Sequence, residues 1–352
     1  MKVPPRVRLA VIGLAALTLA ACAPASNQRR AVALLVKTAD KGATWKPKVR
    51  QVTPAGAGSI AGANVSAIVF DPSDAAAVYL ATENRGLLYT YDGGENWFQP
   101  RQVTGSVNAV AVDPNDKCTV YVATGARLLK STDCNRTFAE LYIDPRPKVQ
   151  ISTVAVHPLS SALVLIGTSA GEVVQSSSAG GSWATVQRFG KPLAVLAFDP
   201  QAADVVVAVV PAKGVFRSLD RGATWIDVSD GLKSLGGTKD FRQLAFSPSQ
   251  PDALLLLNGY GIIKTGDGGA TWEAVSLITP PKSTKIYVVA VSPTNGDEIT
   301  YGTANQLYRT VNGGQTWSFR QKMPFNAQPS ALAIDPTNPS VFYLGSRVVE
   351  SK

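Results

Sequence analysis

An eight-residue phrase returns seven times along the chain, and this recurrence restricts the possible folds more than any composition figure does. It reads "TADKGATW" at 38–45, "TYDGGENW" at 90–97, "STDCNRTF" at 131–138 and "SSSAGGSW" at 176–183. It returns as "SLDRGATW" at 218–225, "TGDGGATW" at 265–272 and "TVNGGQTW" at 310–317. The consensus is S/T-x-D-x-G-x-T-W. All six tryptophans of the chain close one of these phrases: Trp45, Trp97, Trp183, Trp225, Trp272 and Trp317. Phe138 closes the seventh. A second phrase runs in phase with the first, as "VFDP", "AVDP", "AVHP", "AFDP", "AFSP", "AVSP" and "AIDP", ending at Pro72, Pro114, Pro158, Pro200, Pro248, Pro293 and Pro336.

Successive anchors lie 41 to 52 residues apart, and each interval reads as four short strands. In residues 107–142, strand A is "VNAVAV", closed by the Asp113-Pro114 turn, and strand B is "TVYVAT". A turn at Gly125-Ala126 leads to strand C, "RLLKS", and the repeated phrase turns the chain into strand D, "TFAELY". The A strands alternate with period 2. The B strands are more continuously apolar, as strands buried on both faces are. Seven such units predict an all-β fold, a seven-bladed β-propeller of four-stranded antiparallel blades. The chain opens with a C–D half-unit and ends with an A–B pair, so N- and C-terminal strands are expected to share one blade and leave no open edge. "RVVESK" at 347–352 competes with the N-terminal segment for strand C of that blade.

The spelling of the phrase suits a tight turn. Asp accepts backbone amide hydrogen bonds, Gly supplies positive φ, and Trp buries a large ring. A residue repeated once per blade cannot converge on one substrate. Asp40, Asp92, Asp133, Asp220 and Asp267 are therefore read as structural, and the replacements Ser178 and Asn312 also hydrogen-bond a turn. The phrase resembles the Asp box, or BNR repeat, of sialidases, xyloglucan-cleaving glycosidases, sortilin-type receptors and the photosystem II stability/assembly factor family. That resemblance implies a C–D turn at the rim of each blade.

The N-terminus stands apart from the repeats. Lys2, Arg6 and Arg8 precede an apolar run, Leu9 to Leu19, too short to span a bilayer. "LAAC" at 19–22 resembles the lipobox of bacterial lipoproteins. The resemblance implies a signal peptide over 1–21, a lipidated Cys22, a short tether over 22–30 and the propeller over 31–352. Export as a membrane-anchored lipoprotein is expected, on the periplasmic side of the outer membrane in a Gram-negative host. Loss of those three cations with the leader lowers the net charge from +9 to +6. A moderately basic, exported protein points to acidic protein, glycan or lipid surfaces rather than nucleic acid.

Cys118 opens strand B of its unit and Cys134 follows strand C. The hairpin centred on residue 126 sets them opposite each other, within reach of a disulfide in an oxidising compartment. Two buried thiols are the alternative. The box here is the weakest, with Asn135 for Gly and Phe138 for Trp. His157, the single histidine, replaces Asp in a turn and is read as its cap. No cofactor, metal site or catalytic residue is assigned.

Ligands of propellers usually meet the face carrying the D–A and B–C loops, and basic residues gather there. The candidate partner contacts are Arg85, Arg127, Arg146, Lys213, Arg242, Tyr260 and Lys285. The longest loops, 226–242 and 273–286, elaborate one side of that rim. The favoured reading is a non-catalytic, monomeric scaffold docking an exported or membrane protein with an acidic surface. A glycoside hydrolase or sialidase needs two carboxyls at a defined separation; Glu172, Asp230 and Asp240 are available, but no motif singles them out. A glycan-binding propeller lacks free aromatics, since every Trp already closes a box.

Overall fold

The strand pattern of each repeat folds as an antiparallel meander, and the meanders stand side by side around a ring. The structure, a computed structural model, describes Met1, residues 32–317 and residues 319–349. The expected signal peptide, Cys22 and the tether lie outside the described residues. Among the described residues no helix is long and apolar enough to cross a membrane.

Blade 2 shows the plan. Its strands are A Ala109–Asp113, B Asp116–Thr124, C Arg127–Ser131 and D Ala139–Ile143, hydrogen-bonded in that order. Blades 3 (151–188), 4 (195–227), 5 (243–274) and 6 (286–322) repeat it. Burial follows position in the blade. The B strand Val78–Thr82 of blade 1 is buried throughout, whereas the D strands of blades 4 and 5 are exposed.

Blade 7 combines A Gln328–Asp335 and B Asn338–Arg347 with C Leu35–Thr38 and D Lys46–Pro47. Leu35 pairs with Gly345 and Thr38 with Phe342. The N-terminal segment thus wins strand C. The competing segment leads elsewhere: the Val348 N–H donates to Asn64 Oδ1 at 3.0 Å, beside blade 1.

Blade 1 departs from the plan. Strands A Val65–Phe70, B Val78–Thr82 and C Leu87–Thr90 form a three-stranded sheet, and strand D shrinks to one bridge between Tyr89 and Phe98. A hairpin, Arg50–Thr53 with Gly56–Ser59, competes for the same backbone. The Val52 N–H donates to the Trp97 carbonyl at 2.8 Å, and the Trp97 N–H donates to the Arg50 carbonyl at 2.9 Å. Pro100 then removes the next donor that could extend the strand.

Seven buried apolar clusters hold the ring, each drawing residues from two neighbouring blades. One joins Leu165 and Val173 of blade 3 to Val206 and Phe216 of blade 4. Another joins Leu35 and Tyr343 of blade 7 to Leu80 and Trp97 of blade 1. A fully buried side chain of this size contributes about 1.5–3 kcal/mol, so the stability resides between blades rather than within them.

Candidate functional site

The polar groups of the repeated turns serve the fold. Two consecutive residues of each box adopt positive φ. The first ranges from 53° at Ala179 to 70° at Gly268, and includes Lys41, Cys134 and Arg221. The second is glycine in six boxes and Asn135, at 66°, in the seventh. Asn tolerates this region better than other residues with a Cβ. The Ser or Thr two positions before the Asp accepts the N–H of that second residue in every blade, for example Gly222 to Ser218 Oγ at 2.7 Å.

The aspartate closes the turn. Asp220 Oδ1 accepts the Thr224 N–H at 2.8 Å, and Oδ2 accepts the Thr224 hydroxyl at 2.6 Å. Asp40, Asp133 and Asp267 repeat this arrangement with Thr44, Thr137 and Thr271, and Asp92 does so with Asn96. Hydroxyl and amide donors hold the carboxyls of Asp40, Asp133 and Asp220 down at about 2. At the non-acidic boxes, Asn312 Oδ1 and Ser178 Oγ accept the corresponding N–H at 2.9 Å each. Each of these acceptors is engaged by the chain itself. His157 behaves likewise: Nδ1 accepts the Leu159 N–H at 3.1 Å, as Asp199 Oδ1 accepts that of Gln201 in the next blade.

The opposite face, formed by D–A and B–C loops, carries the candidate partner contacts. Several are engaged internally. The Arg85 guanidinium donates to the Ser59 carbonyl at 2.8 Å and Gln51 Oε1 at 3.1 Å, pinning the hairpin of blade 1. Lys213 Nζ donates to the Phe189 carbonyl at 2.6 Å and lies over the Phe189 and Phe216 rings. Arg146 grips Asp144, with Nε to Oδ1 at 2.9 Å and an Nη to Oδ2 at 2.6 Å, and also meets Glu172. Arg127 stands alone near Glu140, at 4.0 Å with both side chains exposed.

Arg242 and Lys285 are brought together. They line one pocket of about 370 Å³ with Arg347, Tyr287, Gln328 and Ser330, where A strands of blades 5, 6 and 7 begin. One Arg242 Nη donates to the Ile286 carbonyl at 2.9 Å, and Lys285 Nζ lies 5.0 Å from the Tyr287 ring centre. Arg347 is held by Glu83 at 2.9 Å. Among the described residues no carboxylate lines the pocket. Tyr260 is half-buried and lies outside it, in a second cavity beside the 273–286 loop.

Acids on this face are mostly spoken for. Glu83 pairs with Arg347, Asp144 with Arg146, Glu172 with Arg146 and Arg188, and Asp230 with Lys233. Asp144 and Glu172 share one arginine, the arrangement nearest to a paired-carboxyl centre. Hydrogen bonds from Arg146 hold both below their ordinary range, against the opposing effect of burial. Both carboxyls thus favour the ionised form, whereas glycoside cleavage needs one of the pair protonated as the general acid.

One repeated contact escaped the sequence reading. The residue three before each box Asp reaches toward the next blade in several units. Lys130 Nζ donates to the Ala179 carbonyl at 3.2 Å, and Arg217 meets Asp252. Its signal is visible in "VKT", "LKS", "FRS", "IKT" and "YRT", where a long cation precedes the Ser or Thr.

Fold and turns together define a seven-bladed, Asp-box β-propeller. No protein-family model matches the chain. A xyloglucanase of Hypocrea jecorina (strain QM6a) is 27% identical over 190 residues, spanning 42% of this chain and 22% of that protein. Among solved structures, the GH74 xyloglucanase from Xanthomonas campestris superposes with a TM-score of 0.66 at 20% identity, covering 81% of this chain and 51% of that one. YCF48 bound to D1 peptide gives 0.60 at 18% identity, covering 82% and 94%. YCF48 from Cyanidioschyzon merolae gives 0.59 at 15% identity, covering 81% and 95%. At these identities the structural likeness is one of fold. The chain spans about half of the Xanthomonas xyloglucanase and nearly all of each YCF48 chain.

Proposed function

We propose that the protein is a non-catalytic scaffold, exported and held at a membrane by a lipid on Cys22, which docks an exported or membrane protein through an acidic segment. The observation that carries this reading is the pocket holding Arg242 and Lys285, lined by no carboxylate among the described residues, on a face where four acids are already in ion pairs. Charge complementarity of this kind selects partners and speeds encounter. Two likenesses bear on it. A YCF48 chain of nearly matching extent has been solved with a peptide of D1 bound, so one propeller of this fold takes a protein segment. The xyloglucanases are about twice as long, so this chain corresponds to only part of such an enzyme.

The test is co-purification of the mature protein from its native membrane in mild detergent, beside an Arg242→Glu/Lys285→Glu variant. The reading expects a protein that accompanies the parent and is lost with the variant. Identical companions for both forms would remove the pocket from the account. Cys22→Ser should release the protein from the membrane fraction; unchanged fractionation would remove the lipid anchor.

A further inference from the structure

A second cavity lies at blade 5, and one loop links it to the basic pocket. It measures about 270 Å³ and is lined by Tyr260, Ile262, Val275, Leu277, Pro280 and Pro281. Its origin is local. Strand D of blade 5 is only Glu273–Ala274, so the chain leaves the sheet early and exposes the flank of strand C. The last tie is the Val275 N–H to the Ile262 carbonyl at 2.9 Å. The chain then passes Leu277, Pro280 and Pro281 on the cavity wall and reaches Lys285 in the basic pocket. Pro281 and Lys285 are four residues apart, at most roughly 14 Å along the chain.

The loop is fixed at several points. The Lys282 N–H donates to the Tyr260 carbonyl at 3.2 Å, and the Ser283 hydroxyl donates to the Pro280 carbonyl at 2.6 Å. Lys282 Nζ lies 5.7 Å from the Tyr260 ring centre. Two consecutive prolines limit the backbone further. The loop walling the first cavity is thus braced before any ligand arrives, which lowers the ordering cost of binding. Ile278, 54% exposed, adds apolar surface beside the first. Among the described residues no carboxylate lines either cavity; Lys282 borders the first, Lys285 and Arg242 line the second, and an acid near the first, Asp240, lies against Gly259.

We infer that these cavities form one two-point site for an extended peptide, with a leucine-sized or aromatic side chain in the Tyr260–Pro281 cavity and acidic residues a few positions away at Arg242 and Lys285. The inference rests on the docking reading above and adds the partner's sequence chemistry. An apolar recess bordered by cations has as its complement an apolar side chain bordered by carboxylates. The apolar contact supplies affinity by desolvation, and the charges set direction and register.

Fluorescence anisotropy on the intact mature protein tests it. The probes are labelled Gly/Ser peptides of about twelve residues. One carries a leucine and, about four positions on, two adjacent glutamates; one carries the glutamates alone; one carries the leucine alone. The combined peptide should bind about tenfold tighter than the glutamate peptide, a gain of about 1.4 kcal/mol. Pro281→Asp, at the exposed rim, should erase that gain and leave the glutamate peptide unaffected. Leu277→Asn should do the same from inside the cavity. Lys285→Glu should weaken both glutamate-bearing peptides. Equal binding of the combined and glutamate peptides would overturn the apolar point and leave the docking reading standing. Binding of none of the three, or binding only to anionic lipid vesicles, would overturn both.

Discussion

Lys37 spans the closure of the ring: its Nζ lies 2.9 Å from the carbonyl oxygen of Gly93, in the box of the neighbouring blade. The same carbonyl accepts the Tyr343 hydroxyl at 2.7 Å, and Lys37 also lies over the Tyr343 ring at 4.9 Å. Residues from both ends of the chain therefore grip one turn of blade 1. Burial of the ammonium lowers its affinity for a proton, with nearby Lys48 adding to the effect. The seam between blades 7 and 1 is thus secured by polar ties as well as by an apolar cluster.

Lys37→Met keeps the aliphatic stem and loses the charge-assisted hydrogen bond. It should destabilise the protein by about 1–2 kcal/mol. Lys46→Met, on the exposed D strand of the same blade, should cost far less. Equal denaturation midpoints for the two variants would show that the Gly93 contact carries no stability.

The boxes give a pH dependence with a definite sign. Folded Asp40, Asp133 and Asp220 titrate at about 2 because turn hydroxyls and amides favour the carboxylate. An unfolded Asp titrates at about 3.9. The depressed folded value means that the contribution is fully present above about pH 4 and is lost as pH falls toward 2. Thermal melts from pH 7 downward should therefore hold steady and then drop over that window. Asp220→Asn should flatten the drop while keeping the turn at neutral pH, since Asn312 already closes a box with its amide donating to Thr316 Oγ1 at 2.8 Å. Asp220→Ala should lower the melting temperature by a few degrees at pH 7. A drop as steep in Asp220→Asn as in the parent would assign the acid sensitivity to other groups.

Much of the fold was legible because the repeats share one phase. Both phrases mark turns, so strand boundaries follow from spacing alone. Two features were hidden for physical reasons. Strand C of blade 7 was ambiguous because "LVKT" and "RVVESK" both offer apolar residues, and sequence carries no record of which one meets Gly345 across the ring. The stunted D strand of blade 1 depends on a hairpin some forty residues earlier that captures the Trp97 backbone. The site was legible as a face only. Whether a cation is free depends on distant partners: Arg146 meets Glu172, 26 residues away, and Arg85 is claimed by Ser59. Arg242 and Lys285 converge because blades 5 and 6 are neighbours, which charge counting along one strand does not reveal.

The Asp144–Arg146–Glu172 group offers a sharper electrostatic test. The side chains of Asp144 and Glu172 are 0% and 10% exposed, and Arg146 joins them. Arg146→Met would leave two buried carboxylates without that shared partner. A loss of about 1–3 kcal/mol at neutral pH is expected, scaled down from a fully buried pair because Arg146 is partly exposed. The contribution of this group to the pH response should also invert. With raised folded values, the carboxyls of the variant favour the folded state below about pH 4, and that advantage is lost as pH rises through their folded values. The parent, with both values depressed, should lose stability on acidification instead. Parallel pH profiles for parent and variant would mean that Arg188, 3.0 Å from Glu172, suffices to hold the group.

The Cys118–Cys134 bond falls on the box that departs furthest from the consensus. Cys134 itself occupies the first positive-φ position of that turn, at 58°, and Asn135 the second, at 66°. Its N–H donates to the Cys118 carbonyl at 3.2 Å, so the covalent and backbone ties coincide. Asn135 Nδ2 donates to the Tyr91 hydroxyl at 2.7 Å, and that hydroxyl donates to the Cys134 carbonyl at 3.1 Å, which links the turn to blade 1. Opening the bond should therefore loosen both the hairpin and the seam between blades 1 and 2. The two cysteines are 16 residues apart, and closing a loop of that size is worth about 3 kcal/mol in the chain-entropy account. Cys118→Ser/Cys134→Ser should lose stability of that order. Alkylation of the unfolded, unreduced protein should add no mass at either cysteine and should label both after reductant. Full labelling without reductant would establish two free thiols, and the strength of this turn would then have to come from its hydrogen bonds through Ser131, Asp133, Asn135 and Tyr91.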